Sequence, residues 1–222
     1  MKKNYAYLKS GSDIRGVAVD AVPGESMELT DEAVFDLTVG FCKWFKENYS
    51  TDNIKVAVGH DSRISAERIK KQVISALGEF GFEIFDCNYA STPAMFMTTV
   101  DLDCAAAVQI TASHHPFNRN GLKFFTKDGG LNPSDIDKIT AYAAENYERN
   151  NKTAIVNSVD FMSVYSSNLR KMICEEVNAE NYEMPLKGYK IIVDAGNGAG
   201  GFYATEVLEK LGADISGSQF LE

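Results

Sequence analysis

The chain has 222 residues, of which 45% are hydrophobic and 24% are charged, and its formal net charge is −9. A chain of this length and composition can bury one sizeable core or two modest ones, which argues against a disordered or fibrous protein. The acidic balance argues against a general polyanion binder, because nucleic-acid affinity rests largely on Lys and Arg that neutralise phosphates. An anionic small substrate would need a local cationic pocket.

Membrane insertion and secretion find no support in the sequence. No apolar run approaches the roughly 20 residues of a membrane span, and the first residues lack the apolar core of a signal peptide. The cysteines lie far apart in apolar surroundings without a C-x-x-C pair, which indicates buried free thiols at Cys42, Cys87, Cys104 and Cys174. We therefore expect a cytoplasmic protein that binds neither nucleic acid nor membranes.

The first predicted elements alternate between helix and strand. Thr30 is a suitable N-cap for an amphipathic helix over residues 31–48. A short β-branched strand follows at 54–58, and apolar residues at helical spacing after Ser65 predict a second helix. A further strand is predicted at 82–85. This order is typical of a β-α-β unit.

The next segment continues the alternation. Thr92 and Pro93 have the arrangement of an N-cap followed by a first-turn proline, and 104–110 is a nearly unbroken apolar run typical of a buried strand. Another strand is predicted at 122–126 and a helix at 133–147. Together these elements predict a three-layer α/β/α domain with a largely parallel mixed sheet, whose chemistry lies beyond the carboxyl ends of strands.

A polar segment at 148–152 without periodicity predicts a domain boundary near residue 150. The first domain then covers 1–150, and 151–222 is the start of a second, similar α/β domain. The elements predicted in it are a helix at 160–177, a strand at 190–193 and a helix at 203–211. Too few residues follow to complete a sheet, so we expect this second domain to be partial.

The segment Thr111–Lys123 directly follows the buried strand and places Ser113 at that strand's carboxyl end. A serine in a polar loop usually only caps or turns the backbone. A histidine metal centre is not favoured, because adjacent histidines on a strand cannot face one point and His60 is the only histidine outside the loop. A hydrolase triad of Ser113, His60 and Asp61 would lack the G-x-S-x-G elbow.

A glycine-rich segment, Gly196–Gly201, offers a different interpretation. It formally satisfies G-x-G-x-x-G between a predicted strand and a predicted helix, and Asp214 lies at about the distance expected for the acidic partner. The alternative function is therefore a nucleotide- or dinucleotide-binding domain. Glycine-rich loops also serve as plain tight turns, so the pattern alone does not decide.

Five segments resemble, in type and in order, motifs of the phosphohexomutase family of the phosphomannomutase/phosphoglucomutase type, over nearly the whole chain. They are Ser12–Gly16 (S-G-x-R-G), Gly59–Ser65 (G-R-D-x-R-x-S), Thr111–Pro116 (T-A-S-H-N-P), Asn120–Lys123 (N-G-x-K) and Asp194–Gly200 (D-x-x-N-G-x-G). Asp13, His60 and His115 depart from the motifs as written here. We take this ordered set as more specific than the glycine pattern alone.

The resemblance implies an N-terminal portion of an enzyme that interconverts the 1-phosphate and the 6-phosphate of mannose or glucose. It implies a phosphoserine at Ser113 and a hexose 1,6-bisphosphate intermediate, with Arg15, Lys123 and His114 binding phosphate or substrate and acting in catalysis. Lys123 is also the implied proton shuttle. The residues implied to shape the loops are Asp61, Arg63, Asn120, Gly121, Asp194, Asn197, Gly198 and Gly200.

The resemblance also implies a Mg²⁺ cofactor, held in part by the phosphate on Ser113. The other ligands belong to a D-G-D-x-D-R loop that we expect beyond residue 222. Domains that select the sugar are expected further on. Residues 1–222 by themselves are therefore expected to be inactive.

Overall fold

The computed structural model describes residues 3–50, 53–177 and 181–221. Its strands are β1 (Lys9–Ser10), β2 (Asp13–Val17), β3 (Lys55–His60), β4 (Glu83–Tyr89), β5 (Ala106–Ile110), β6 (Arg119–Thr126), β7 (Gly129–Gly130) and β8 (Ile155–Ser158). They form one sheet in the order β1-β2-β6-β5-β3-β4-β8, with β7 paired to β6. The prediction of an α/β fold with a mixed sheet is confirmed.

Parallel and antiparallel pairing divide the sheet into two parts. The pairs β3–β4, β3–β5 and β4–β8 are parallel, whereas β6 runs antiparallel to both β2 and β5. The reason is the length of the connections, since parallel neighbours need a helical crossover and β5 reaches β6 through a short loop. That loop carries Ser113.

Helices cover both faces of the sheet. They are α1 (Asp31–Asn48), α2 (Ala66–Glu79), α3 (Thr92–Asp101), α4 (Pro133–Ala143) and α5 (Phe161–Val177), with a 3₁₀ turn at Ala6–Leu8. Helices α1, α2 and α4 pack together over one face, where Phe41 stacks on Phe124 with ring centroids 4.5 Å apart. Helices α3 and α5 pack on the other face. No helix in the described ranges is long and apolar enough to cross a membrane.

Helix starts follow local hydrogen bonding. Thr30 caps α1 as predicted, since its hydroxyl accepts from the backbone N–H of Ala33 at 3.1 Å. The cap of α3 is Ser91 instead of the predicted Thr92. Both residue types can accept from the first turn, and Ser91 is the one with extended backbone, whose hydroxyl faces Ala94 N at 3.4 Å.

The four cysteines are free thiols, in agreement with the sequence-based expectation. Cys42, Cys87 and Cys104 are buried, and burial raises the pKa of Cys87 to about 12 and that of Cys104 to about 11. The expectation of burial is wrong for Cys174, which is partly exposed on α5.

The part of the chain after residue 180 is less regular than predicted. The strand expected at 190–193 is not formed within the described residues, which show isolated parallel bridges from Lys190 to Asp214 and from Asp194 to Gln219. The predicted helix at 203–211 is a π-helical segment, Tyr203–Leu208, followed by a 3₁₀ turn, Glu209–Leu211. Strand β8 lies beyond residue 150 and pairs with β4, so the first sheet continues past the predicted domain boundary. The boundary near residue 150 stays a prediction.

Candidate active site

Ser113 lies in the loop that follows the carboxyl end of β5, and its side chain is exposed. Its backbone is left-handed, with φ of 54°. The backbone N–H of Ser113 donates to the hydroxyl of Thr111 at 3.0 Å, which supports this turn locally. The serine Oγ is 3.5 Å from Nδ1 of His114. A serine presented in this way is accessible to a substrate.

Arg63 fixes the backbone of this loop from the turn between β3 and α2. Its guanidinium donates to four carbonyl oxygens, those of Ser113, His115 and Pro116 at 2.7 Å each and that of Arg119 at 2.8 Å. The side chain is only 10% exposed. Because charge-assisted hydrogen bonds are stronger than neutral ones, this set holds the loop firmly against the sheet edge.

Asp61 orients the arginine and the loop together. One carboxylate oxygen accepts from the hydroxyl of Thr111 at 2.7 Å, and the other accepts from the backbone N–H of Arg63 at 3.1 Å. Nε of Arg63 lies 3.4 Å from the same carboxylate. Asp61 is therefore fully engaged in shaping the loop.

The two predicted cations, Arg15 and Lys123, meet at a third residue. Asp13 accepts from Lys123 Nζ at 2.5 Å and from the Arg15 guanidinium at 2.9 Å. Arg15 also lies 3.5 Å from the carbonyl oxygen of Ala112, the residue before Ser113. The structure thus brings both cations together, and it brings Arg15 next to the serine loop.

The N-G-x-K segment serves the packing of this region. The side chain of Asn120 is buried and donates to Ser65 Oγ at 2.9 Å, while its own oxygen accepts from the backbone N–H of Gly121 at 2.8 Å. A Cβ at Gly121 would lie 2.2 Å from the carbonyl oxygen of Ile14 and 3.1 Å from Cγ of Arg15. Only glycine fits here, because a Cβ would also lie 2.8 Å from the carbonyl oxygen of Thr111.

The three histidines form neither a metal centre nor a hydrolase triad. The rings of His114 and His115 stack with centroids 5.1 Å apart, whereas His60 Nε2 lies 3.1 Å from Glu67. The carboxylate of Asp61 is engaged by Thr111 and Arg63 instead of by a histidine. Burial lowers the pKa of His115, and the charge of Arg15 adds to that effect.

A cleft of about 390 Å³ opens beside the serine. On one side lie the serine loop and the turn with Arg63, and on the other side lie Gly196, Asn197 and Gly198. Ser62 connects the two sides, since its hydroxyl donates to the carbonyl oxygen of Asn197 at 3.0 Å. Arg15 and Lys123 do not line this cleft.

The segment Asp194–Gly200 forms a tight turn at the rim of the cleft. Asp194 accepts from the backbone N–H of Gly196 at 3.0 Å, and Gly196 and Asn197 have φ of 56° and 57°. Gly198 N–H donates to Ala195 O at 2.9 Å, and a Cβ at Gly200 would make only an ordinary contact, 3.8 Å from Cβ of Ala195. The strand that the dinucleotide pattern requires before this turn is not present in the described segments.

The predicted Mg²⁺ finds no ligand set in this part of the molecule. The described ranges contain no group of three or more His, Cys, Asp or Glu side chains that could hold a metal ion. Two carboxylates near the serine loop, Asp61 and Asp13, are already bound by Thr111, Arg63, Arg15 and Lys123. These side chains by themselves do not make a metal site, and the other ligands are predicted beyond residue 222, outside the described residues.

Sequence reasoning missed two connections. Asp13 departs from the family motif, but its spacing of two residues from Arg15 on a strand places both side chains on one face. The bond from Ser62 to Asn197 spans 135 residues and has no local signal.

Comparisons with known proteins identify the family of this chain. The family described as "Phosphoglucomutase/phosphomannomutase, alpha/beta/alpha domain I" matches residues 8–150. This chain belongs to the phosphoglucomutase/phosphomannomutase family. The matched residues contain the serine loop, both cations and the turn with Arg63.

Two curated relatives illustrate the similarity in sequence. A phosphoglucosamine mutase from a Thermoanaerobacter species is 32% identical over 208 residues, which cover 92% of this chain and 43% of the relative. A phosphoglucosamine mutase from a Nitratiruptor species is 31% identical over 175 residues, which cover 78% of this chain and 38% of the relative. The chain thus spans about two fifths of the length of these relatives.

Solved structures show the same fold. A phosphoglucomutase/phosphomannomutase family protein from Burkholderia thailandensis superposes with a TM-score of 0.77 at 18% identity, covering 98% of this chain and 44% of that one. The exocytosis-sensitive phosphoprotein parafusin from Paramecium, in an open form, superposes with a TM-score of 0.70 at 16% identity, covering 95% of this chain and 43% of that one. At these identities the likeness concerns the fold.

Proposed function

We propose that this chain carries the phosphoryl-transfer serine of a phosphohexomutase, an isomerase that interconverts hexose 1-phosphates and hexose 6-phosphates in the cytoplasm. The main support is the exposed, left-handed Ser113 in a loop that Arg63 holds through four carbonyl oxygens. Such fixation is what phosphoryl transfer requires, because its catalysis consists mainly of alignment and electrostatic stabilisation.

In the proposed reaction, the bond between Ser113 Oγ and phosphorus breaks as a bond forms from phosphorus to the free hydroxyl of a hexose monophosphate. The hydroxyl proton leaves to a base, for which Lys123 is the proposed carrier in its neutral form, since the protonated ammonium group has no acceptor site. The resulting hexose 1,6-bisphosphate turns, and its other phosphoryl group is transferred to Ser113 Oγ. The bond from phosphorus to the sugar oxygen breaks in this step, and that oxygen takes the proton back from Lys123. The charge spread over the transferring oxygens requires cations nearby.

Arg15 is the cation proposed for that role, since its guanidinium lies 3.5 Å from the carbonyl oxygen of Ala112, the residue before Ser113. His114, whose Nδ1 is 3.5 Å from Ser113 Oγ, is proposed to order the hydroxyl or contact the phosphoryl group. Mg²⁺ is proposed only to bind the phosphate on Ser113. No step is assigned to it, because the described residues offer it no set of ligands.

The sugar is proposed as a class. The sequence motifs favour mannose or glucose phosphates, whereas the curated relatives named above are phosphoglucosamine mutases. We therefore propose a hexose monophosphate as substrate, and activity should be measured with the 1-phosphates of mannose, glucose and glucosamine in parallel.

The decisive experiment replaces Ser113 by alanine in the full-length gene product that contains this chain. Because the side chain is exposed, the substitution should change stability by less than about 0.5 kcal/mol. Turnover should fall below detection, and intact-mass analysis should show that the variant lacks a phosphoryl group present on the wild type.

Ser62→Ala is the matched control, since Ser62 lines the same cleft and also carries a hydroxyl. It should keep the phosphoryl group. Normal turnover in Ser113→Ala, or a phosphoryl group that maps to another residue, would show that the proposed function is wrong.

A further inference from the structure

We propose that Asp13 is a positioning residue of this site. Its carboxylate holds Lys123 against Arg15, which lies next to the serine loop, and an anion bound at that loop must compete with Asp13 for Arg15 and its partner cation. The kinetic consequence rests on the proposed function. The effect on anion binding does not depend on a phosphorylated serine.

Both oxygens of Asp13 are occupied by the two cations. Oδ1 lies 2.5 Å from Lys123 Nζ, and Oδ2 lies 2.9 Å from Arg15. The Asp13 side chain is 8% exposed, compared with 16% for Arg15 and 26% for Lys123. A carboxylate buried to this degree is stable only when it is paired, so the three side chains form one unit.

The sheet itself fixes this arrangement. Ile14 of β2 pairs with Leu122 of β6 and Arg15 pairs with Gly121, so Asp13 stands across from Lys123. Asp13 and Arg15 share a face because side chains alternate along a strand. The positions of all three groups are thus set by strand register, which is a more rigid support than a loop.

Arg15 links this unit to Ser113. Its guanidinium approaches Ala112 O at 3.5 Å, and its charge contributes, after burial, to the lowered pKa of His115 in the same loop. Nε of Arg15 is buried and has no hydrogen-bond partner among the described residues. The arginine therefore lies close to the loop and keeps a donor that Asp13 does not use.

The charges explain why Asp13 both orients the two cations and weakens their binding of an anion. Two cations and one carboxylate leave a net charge of +1, which a phosphoryl group of about −2 can attract away from Asp13. Without the carboxylate the net charge would be +2, so anions would bind more tightly. The two cations would also lose the group that fixes their direction, and transfer would be slower.

The test compares Asp13→Asn with Asp36→Asn. Asp36 is a matched control because it is also a buried carboxylate with two partners, Tyr5 at 2.6 Å and Lys3 at 2.6 Å. Inorganic phosphate is titrated into each 222-residue chain, and the amide resonances of Ala112 and Ser113 are followed by NMR. The dissociation constant should fall about tenfold in Asp13→Asn, the effect of one close charge, and stay unchanged in Asp36→Asn.

In the full-length gene product, Asp13→Asn should lower kcat at least tenfold while KM stays equal or falls. Asp13→Glu, which keeps the charge, should retain the weaker phosphate affinity of the wild type. The proposal is refuted if Asp13→Asn binds phosphate like the wild type, if Asp36→Asn shows the same change, or if no chain binds phosphate at this loop. A phosphoserine found at another position would overturn the proposed function. The role of Asp13 in anion binding would still be decided by the phosphate titration of Asp13→Asn and Asp36→Asn.

Discussion

Residues 54–58 and 190–193 have similar sequences but different structures. Both are short, β-branched segments, and the sequence pattern predicts a strand at each. Residues 55–58 of the first lie within β3 in the interior of the sheet, with Val56 and Val58 fully buried, whereas Ile192 of the second is 64% exposed and belongs to no strand. The comparison teaches that a β-branched pattern specifies a strand only where neighbouring strands supply a ladder and a buried face.

The largest expected effect is in the core beneath β6. Phe124→Ala removes a fully buried ring that stacks on Phe41 at 4.5 Å, and we expect a loss of about 3–5 kcal/mol in the free energy of unfolding. Urea denaturation followed by circular dichroism measures it. A loss below about 1 kcal/mol would mean that this core is not the cooperative centre of the domain.

The next largest effect is expected in thiol labelling, which compares Cys87 in the buried sheet with Cys174 on α5. A pKa of about 12 for Cys87, compared with 9.0 for an ordinary thiol, lowers its reactive thiolate fraction about a thousandfold, and burial also blocks the reagent. Cys174 is partly exposed, and its Sγ faces the carbonyl oxygen of Tyr182 at 3.3 Å. Iodoacetamide should therefore modify Cys174 first, as peptide mass mapping would show. Early modification of Cys87 would indicate that the sheet opens locally.

The smallest effect is expected from Ile192→Ala. Because this side chain is 64% exposed, its removal should change the free energy of unfolding by less than about 0.5 kcal/mol in the same urea assay. A loss comparable to that of Phe124→Ala would show that the segment is buried in solution, and the contrast with 54–58 would disappear.

Local signals in the sequence were sufficient for part of the fold. The bounds of α1 follow from the Thr30 cap and the helical spacing of apolar residues, and the place of Ser113 follows from the buried strand before it. The start of α3 was misplaced by one residue, because Ser91 and Thr92 are both cap-forming types. Local sequence rules do not decide which of two adjacent cap-forming residues is the N-cap.

The remaining features depend on contacts between distant residues. The strand β8 is exposed along its length and joins the sheet only through β4. Its sequence therefore has no alternation of buried and exposed residues that would predict a strand. The unit formed by Asp13, Arg15 and Lys123 depends on the register of β2 against β6. Single-sequence patterns carry face and period, but they do not carry register between strands.

The way in which Arg63 holds the serine loop has a consequence for sequence variation. All four of its hydrogen bonds go to main-chain oxygens, which every amino acid provides. The shape of the loop is therefore largely independent of the side chains at the gripped positions. Arg63 still donates to the carbonyl oxygen of His115, although the family motif has asparagine at this position. Side chains of this loop that face a substrate can therefore change without moving the serine.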